Sequence, residues 1–200
     1  MNYFTADFHL NEISAPNTHS FLRPFQPNPN ENLLDKLYGL KDLTEYDTLY
    51  HLGDVAVDIE GWKYCVEFMK NIPCKKVLIQ GDKELSNKNC SWEEIEPYAK
   101  ECFDEILYTG ILNLSFGDVL LVHKPVDGLL NLPESPIICG HIHGSARVQK
   151  FAVQNNRPII NVGIDVWCYQ IVSEERLEHQ YNALTKGYYD DNVFINQVKL

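Results

Sequence analysis

Seven residues of the types that ligate metals stand in one order along the chain: Asp7 and His9, Asp54, Asp82, His123, then His141 and His143. Three carboxylates and four imidazoles gathered in one place suit a pair of divalent cations with oxygen and nitrogen ligands. Asp7 and His9 are one residue apart, as are His141 and His143, so an extended backbone would turn each pair to one side. A carboxylate such as Asp54 can bridge two cations, because each of its oxygens can bind one. Gly53, Gly81 and Gly140 stand immediately before ligands, where a sharp exit from a strand favours a residue without Cβ. Each piece alone has an ordinary explanation. Asp-x-His recurs by chance, Gly-Asp is a common turn, and His123 after three apolar residues reads as a strand-end histidine. Five such pieces in series, each after a short apolar run, make the metal reading the stronger one.

Those apolar runs are the elements that must carry the ligands. Residues 2–6, 48–52, 76–80, 119–122 and 137–139 read as strands, and each ends at one ligand group. The carboxyl ends of strands at one edge of a sheet are where open α/β folds collect their ligands. Further strands are expected over 106–108, 111–116, 146–153, 159–162 and 168–172, with Gly117-Asp118 as a hairpin turn. Helices are expected from Asn30 through Leu40, over 61–71, from the capping box of Ser91 and Glu94, and after Ser173. Residues 10–30 hold Pro16, Pro24, Pro27 and Pro29 and read as a long surface loop. The fold class predicted is α/β (α+β), two layers of sheet with helices outside, in a single domain spanning 1–200.

Composition sets the outer bounds. Of the 200 residues 44% are hydrophobic and 22% charged, which is ordinary for a globular protein able to bury a core. A formal net charge of −11 argues against an extended nucleic-acid surface, while bound cations could still attract a small phosphorylated substrate. No run approaches the roughly 20 apolar residues needed to cross a bilayer. Residues 1–10 lack the basic and apolar regions of a secretory signal, so a cytoplasmic location is expected. Six cysteines without Cys-x-x-Cys spacing read as free buried thiols, with Cys65, Cys139 and Cys168 inside apolar stretches.

The ordered series resembles the calcineurin-like metallophosphoesterase superfamily, whose motifs run Asp-x-His, Gly-Asp, Gly-Asn-His-Asp/Glu, His and Gly-His-x-His. The likeness covers most of the chain. Arg23-Pro24-Phe25 and the stretch Asn161-Val162-Gly163-Ile164-Asp165-Val166-Trp167 resemble a small bacterial and phage subgroup, which would put a phage-encoded copy in the host cytoplasm. The resemblance implies a β-sandwich flanked by helices and two divalent metal ions, Mn²⁺ first, with Fe, Zn, Ni or Mg as alternatives. By motif, Asp7, His9, Asp54 and His143 would hold one metal, and Asp54, Asp82, His123 and His141 the other. The implied activity is hydrolysis of a phosphodiester, or of a phosphomonoester or nucleotide, by attack of a water or hydroxide held between the metals.

At the third motif the chain departs from the family, reading Gly81-Asp82-Lys83-Glu84. Asp82 replaces a neutral amide ligand by a charged one and favours harder cations such as Mn²⁺ or Mg²⁺. Lys83 replaces the histidine to which the family assigns leaving-group protonation, and with Asp54 it is the catalytic candidate. An ammonium beside two cations can steady a pentacoordinate phosphorus transition state. The alternative is a catalytically impaired metal-binding protein with a binding or scaffold role. Lys124, Arg23 and Asn11 are candidate substrate contacts. His51 reads as a buried or metal-supporting histidine, His19 and His179 as loop and helix-surface residues, and Asp165 and Trp167 as structural.

Overall fold

The short strands sort their side chains by alternation, and this builds two cores on the faces of one sheet. In β1 (Asn2–Thr5), β2 (Thr48–His51) and β3 (Lys75–Ile79), Tyr3, Leu49 and Leu78 face one cluster, whereas Phe4, Tyr50 and Ile79 face another. The computed structural model describes residues 1–12, 33–128, 134–145, 148–151 and 157–186. The proline-bearing loop with Arg23 and His19, and the Asn30 cap, lie outside the described residues.

Two five-stranded mixed sheets form the frame. The first adds β4 (Glu105–Leu107) and β10 (Val172–Ser173), in the order β10-β1-β2-β3-β4, with only β10 antiparallel to its neighbour. The second holds β5 (Gly110–Leu114), β6 (Gly117–Leu121), β7 (Ile137–Cys139), β8 (Val148–Phe151) and β9 (Arg157–Asn161), ordered β5-β6-β7-β9-β8. Its central pairs β6–β7 and β7–β9 are parallel, and both edge strands run antiparallel. Between the sheets Phe4, Leu52, Ile79, Val119, Leu121, Ile138 and Ile160 share one core, to which α5 (Glu174–Thr185) adds Leu177 and Leu184.

Helices cover the other face of the first sheet. α1 (Leu33–Lys36), α2 (Ile59–Met69) and α4 (Trp92–Cys102) contribute Leu33, Leu34, Trp62, Cys65, Met69, Ile95 and Ala99 to the second core. A one-turn helix, α3 (Asp82–Leu85), begins at the third motif itself. No helix among the described residues is long and apolar enough to cross a membrane.

Several local expectations give way to tertiary contacts. The helix expected through Leu40 stops at Lys36, because Gly39 sits at φ 87° and Tyr38 leaves the helix to bridge Gln170. α2 begins at Ile59, two residues early, since Asp58 caps it by accepting from the Gly61 N–H at 2.8 Å. The hairpin turn falls on Ser115-Phe116, with Gly117 paired to Leu114 and Asp118 to Asn113. Contacts with α5 hold that turn: Phe116 stacks on Tyr181 at 4.9 Å, and Ser115 donates to Glu174 and Glu178. Residues 164–169 form turns where a strand over 168–172 was expected, and Cys168 is exposed rather than buried. The other five cysteines are buried free thiols.

His51 is wholly buried, edge-on to Phe8 at 4.3 Å and near Phe103 at 6.0 Å, and among the described residues neither ring nitrogen has a hydrogen-bond partner. Burial, then the neighbouring His123 and His9, push its pKa down from 6.5 to about 3. An unfolded chain takes up that proton near 6.5, whereas the folded one resists it to about 3. Stability is therefore lost as pH falls through this window, by about 1.4 kcal/mol per unit. In metal-free protein, urea unfolding between pH 6 and pH 4 should show His51→Leu losing stability with a slope shallower than the natural chain by about one proton. An unchanged slope would contradict the assignment.

Candidate metal centre

All seven candidate ligands lie beyond the carboxyl ends of parallel strands. Asp7 and His9 follow β1, Asp54 follows β2 and Asp82 follows β3; His123 follows β6, and His141 and His143 follow β7. The sheets are stitched together at this end by a bridge between Ala6 and Gly163. The backbone there is not extended, contrary to the sequence expectation. Asp7, His9, Asp54, His141 and His143 all have φ between 42° and 68°, in the left-handed region that residues with a Cβ rarely adopt. Such turns curl each chain end inward, and hydrogen bonds such as Asp7 N–H to Gly53 O and His9 N–H to Asp54 O hold them. Of the three glycines ahead of ligands, Gly53 alone needs a positive φ, 85°. Gly81 and Gly140 are needed for space: a Cβ on Gly81 would lie 2.5 Å from Asp54 Oδ1, and one on Gly140 3.0 Å from Asp7 Oδ2.

Three groupings bring ligand atoms within 4.8 Å of one another and could hold a metal ion: Asp7, His9 and His143; Asp82, His123 and His141; Asp7, Asp54 and His123. Asp54 stands between the sides, with Oδ2 3.3 Å from His9 Nε2 and Oδ1 3.4 Å from His123 Nε2. The histidines are oriented from behind. His123 Nδ1 lies 2.7 Å from the Leu52 carbonyl, which can only accept, so Nδ1 carries the proton and Nε2 the lone pair. Among the described residues that buried Nε2 has no hydrogen-bond partner, and it faces a carboxylate oxygen, another acceptor. Two acceptors held face to face in the interior are what a cation satisfies, so the donor set fits one. Burial works against a second proton on His123, but the charges of Asp54 and Asp7 outweigh it and raise its pKa. Without a cation those charges favour a proton on Nε2, and the neutral ring with its lone pair is the form a cation would hold. His143 Nδ1 lies 2.8 Å from Asp165, fixing that ring in the same manner. Asp165, expected to be structural, is thus the partner of a candidate ligand.

Glu84 does the most to shape the site. It is buried at 1% exposure and accepts from three backbone amides: Val55 at 2.9 Å, Asp54 at 2.9 Å and Gly81 at 2.7 Å. One carboxylate therefore ties the turn after β2 to the turn after β3. Burial and the charge of Asp54 push its carboxyl up to about 7, against the pull of the three amides. The sequence placed Glu84 in the third motif without revealing this clamp, since two of its three partners lie 29 and 30 residues away.

Lys83 donates its backbone N–H to Asp54 Oδ1 at 2.8 Å, and its ammonium lies 3.5 Å from Glu12. Lys124 is ion-paired with Asp82 at 2.5 Å instead of standing as a lone surface lysine. Partial burial would raise the Asp82 carboxyl, yet the Lys124 ammonium holds it below its ordinary value, and Lys124 is raised in return. His141, more exposed, has its pKa lowered by burial and by His123, and its Nδ1 is 3.5 Å from Asp82. Asn11 turns its amide to Asp58 at 2.6 Å, the residue that caps α2. Arg23 lies outside the described residues.

The three-amide clamp makes a direct prediction. Glu84→Gln keeps the shape but turns an NH₂ group toward at least one backbone N–H, which should cost about 1–3 kcal/mol. Urea unfolding of the metal-free variant measures this, and a loss below the error of the method would mean that Glu84 does not hold the two turns together.

No family model and no curated protein matches the chain. A solved structure described as the protein of unknown function AQ665 from Aquifex aeolicus superposes with a TM-score of 0.67 at 24% identity, covering 90% of this chain and 98% of that one. This chain is similar to AQ665 in fold.

Proposed function

We propose that this protein is a phosphoesterase of the calcineurin-like metallophosphoesterase type, acting with two divalent cations on phosphodiesters. One observation carries the reading: Asp54 stands between two groups of ligands, one oxygen toward His9 and the other toward His123. A shared carboxylate flanked by histidines from both sheets suits a dinuclear site, and two mixed sheets flanked by helices suit the superfamily fold. Two divalent cations bound there, Mn²⁺ by preference, would supply the Lewis-acid charge that polarises a phosphoryl oxygen and activates water. The protein's part is to hold the seven ligands. The Glu84 clamp and the Lys83 amide fix Asp54, while Leu52 and Asp165 aim His123 and His143. On this reading the Lys83 ammonium would steady charge on the leaving oxygen.

A diester is the preferred class, because the chain lacks the family's third-motif histidine and that loss matters less when the leaving group is a good one. The carboxylates of Asp7, Asp54, Asp82 and Glu12 against Lys83 and Lys124 leave −2, and both lysines are already paired with carboxylates. Two divalent cations would turn that to +2, a local charge that attracts a phosphate anion. The natural substrate is a small phosphorylated molecule, with nucleotides included in that class.

A second reading is supported by the pairing of Lys83 with Glu12, which draws the ammonium toward the protein. On that reading the chain binds metal but does not turn over. Asp82→Asn combined with Lys83→His, which rebuilds the family motif, would then create an activity absent from the natural chain.

With Mn²⁺, the protein is expected to hydrolyse bis-p-nitrophenyl phosphate faster than p-nitrophenyl phosphate, and His123→Ala to lose more than about 100-fold, beyond the usual cost of removing a ligand's supporting partner. Absence of metal-dependent turnover on any phosphoester or nucleotide would defeat the proposal. Lys83→Ala should cost about 10²–10⁴-fold on diesters with poor leaving groups and much less on nitrophenyl esters. Equal losses across leaving groups would remove Lys83 from the chemistry.

A further inference from the structure

The turn after β1 does more than deliver Asp7 and His9. His9 and Asn11 both have positive φ, 48° and 63°, and the Glu12 N–H closes the turn on the His9 carbonyl at 3.1 Å. Asn11 pins it from outside by donating to Asp58 at 2.6 Å. The result folds the Glu12 side chain back over its own turn. Glu12 Oε2 lies 2.8 Å from His9 Nδ1, a close ion-pair contact rather than an aligned hydrogen bond, and Oε1 lies 3.5 Å from Lys83 Nζ. His9 Nε2 faces Asp54 on the opposite side of the ring.

From this juxtaposition we infer that Glu12 is a positioning residue joining a metal ligand to the atypical lysine. One carboxylate oxygen sets the His9 ring so that Nε2 faces Asp54, and the other holds the Lys83 ammonium at 3.5 Å. Behind the other ligands the same task falls to Asp165 for His143 and to the Leu52 carbonyl for His123. Glu12 also reaches Lys83. A lysine in place of the family's histidine thereby becomes part of the site's charge network instead of a solvated loop residue. The residue belongs to none of the metal-ligand motifs in the sequence, and only the tight turn brings it to them.

The inference rests on the metal-binding part of the proposed function, and calorimetric titration with Mn²⁺ separates the two. Glu12→Ala should weaken Mn²⁺ binding by about 10–100-fold, the usual cost of removing a carboxylate behind a ligating histidine. Glu12→Gln, which keeps an oxygen beside His9, should retain most of the affinity. Circular dichroism of both variants checks that the fold is intact. A natural chain that binds no Mn²⁺ overturns both the proposed function and this inference. Strong binding that Glu12→Ala leaves unchanged overturns this inference alone. Turnover of a diester with a poor leaving group tests the link to Lys83: Glu12→Gln and Lys83→Met should each reduce kcat, and the double variant should be no worse than the poorer single. Losses that multiply would overturn the link.

Discussion

Burying like charges together is the constraint around which this structure is organised. Asp7, Asp54 and Glu84 are at most 4% exposed, and the Asp165 side chain is fully buried, all in one cluster of turns. Carboxylates taken out of water are costly unless each is paired or hydrogen-bonded. Much of the compensation comes from the backbone. His141 donates its amide to both oxygens of Asp7, Lys83 donates to Asp54, and three amides converge on Glu84. To aim so many amides inward, the turns must curl tightly, which accounts for left-handed backbone at five of the seven candidate ligands. Strain of that kind costs about 1–3 kcal/mol per residue and persists only where the surrounding structure imposes it. Two packed sheets with helices on the outside supply the imposing frame.

On the proposed reading, the departures from the superfamily's third motif acquire a physical logic within this frame. Asp82 adds a negative charge where the proposed superfamily has a neutral amide, and Lys124 from the turn after β6 answers it with an ion pair. Lys83 adds a positive charge, and Glu12 from the turn after β1 answers that. Each unusual residue meets a counter-charge from a different strand end. Both pairs are partly exposed, so they contribute little to folding stability and act on the local potential that a cation or phosphate would meet.

The fold was legible wherever the chain's own pattern decided it. Short apolar runs located the strands that end at ligands, because alternating burial in a sheet leaves a period in the sequence. The pattern failed where a distant contact decided the outcome. Tyr38 left its expected helix for a bridge to Gln170, and the hairpin turn slid to Ser115-Phe116 under the hold of α5. Cys168 looked internal from its apolar neighbours, yet it lies exposed on a turn whose strained backbone no local rule foresees.

By itself, the sequence determined which residues could act as ligands, their order, and their places at strand ends, because ligand chemistry and strand periodicity are both local properties. Tertiary structure alone decided which nitrogen His123 and His143 offer, that Asp54 stands between the two sides, and that Glu84, Glu12 and Asp165 support them. Those outcomes depend on distances between residues that are neighbours only after the sheets pack, or after a turn reverses the chain. Hydrogen bonds act over about 3 Å of space and are indifferent to separation along the chain.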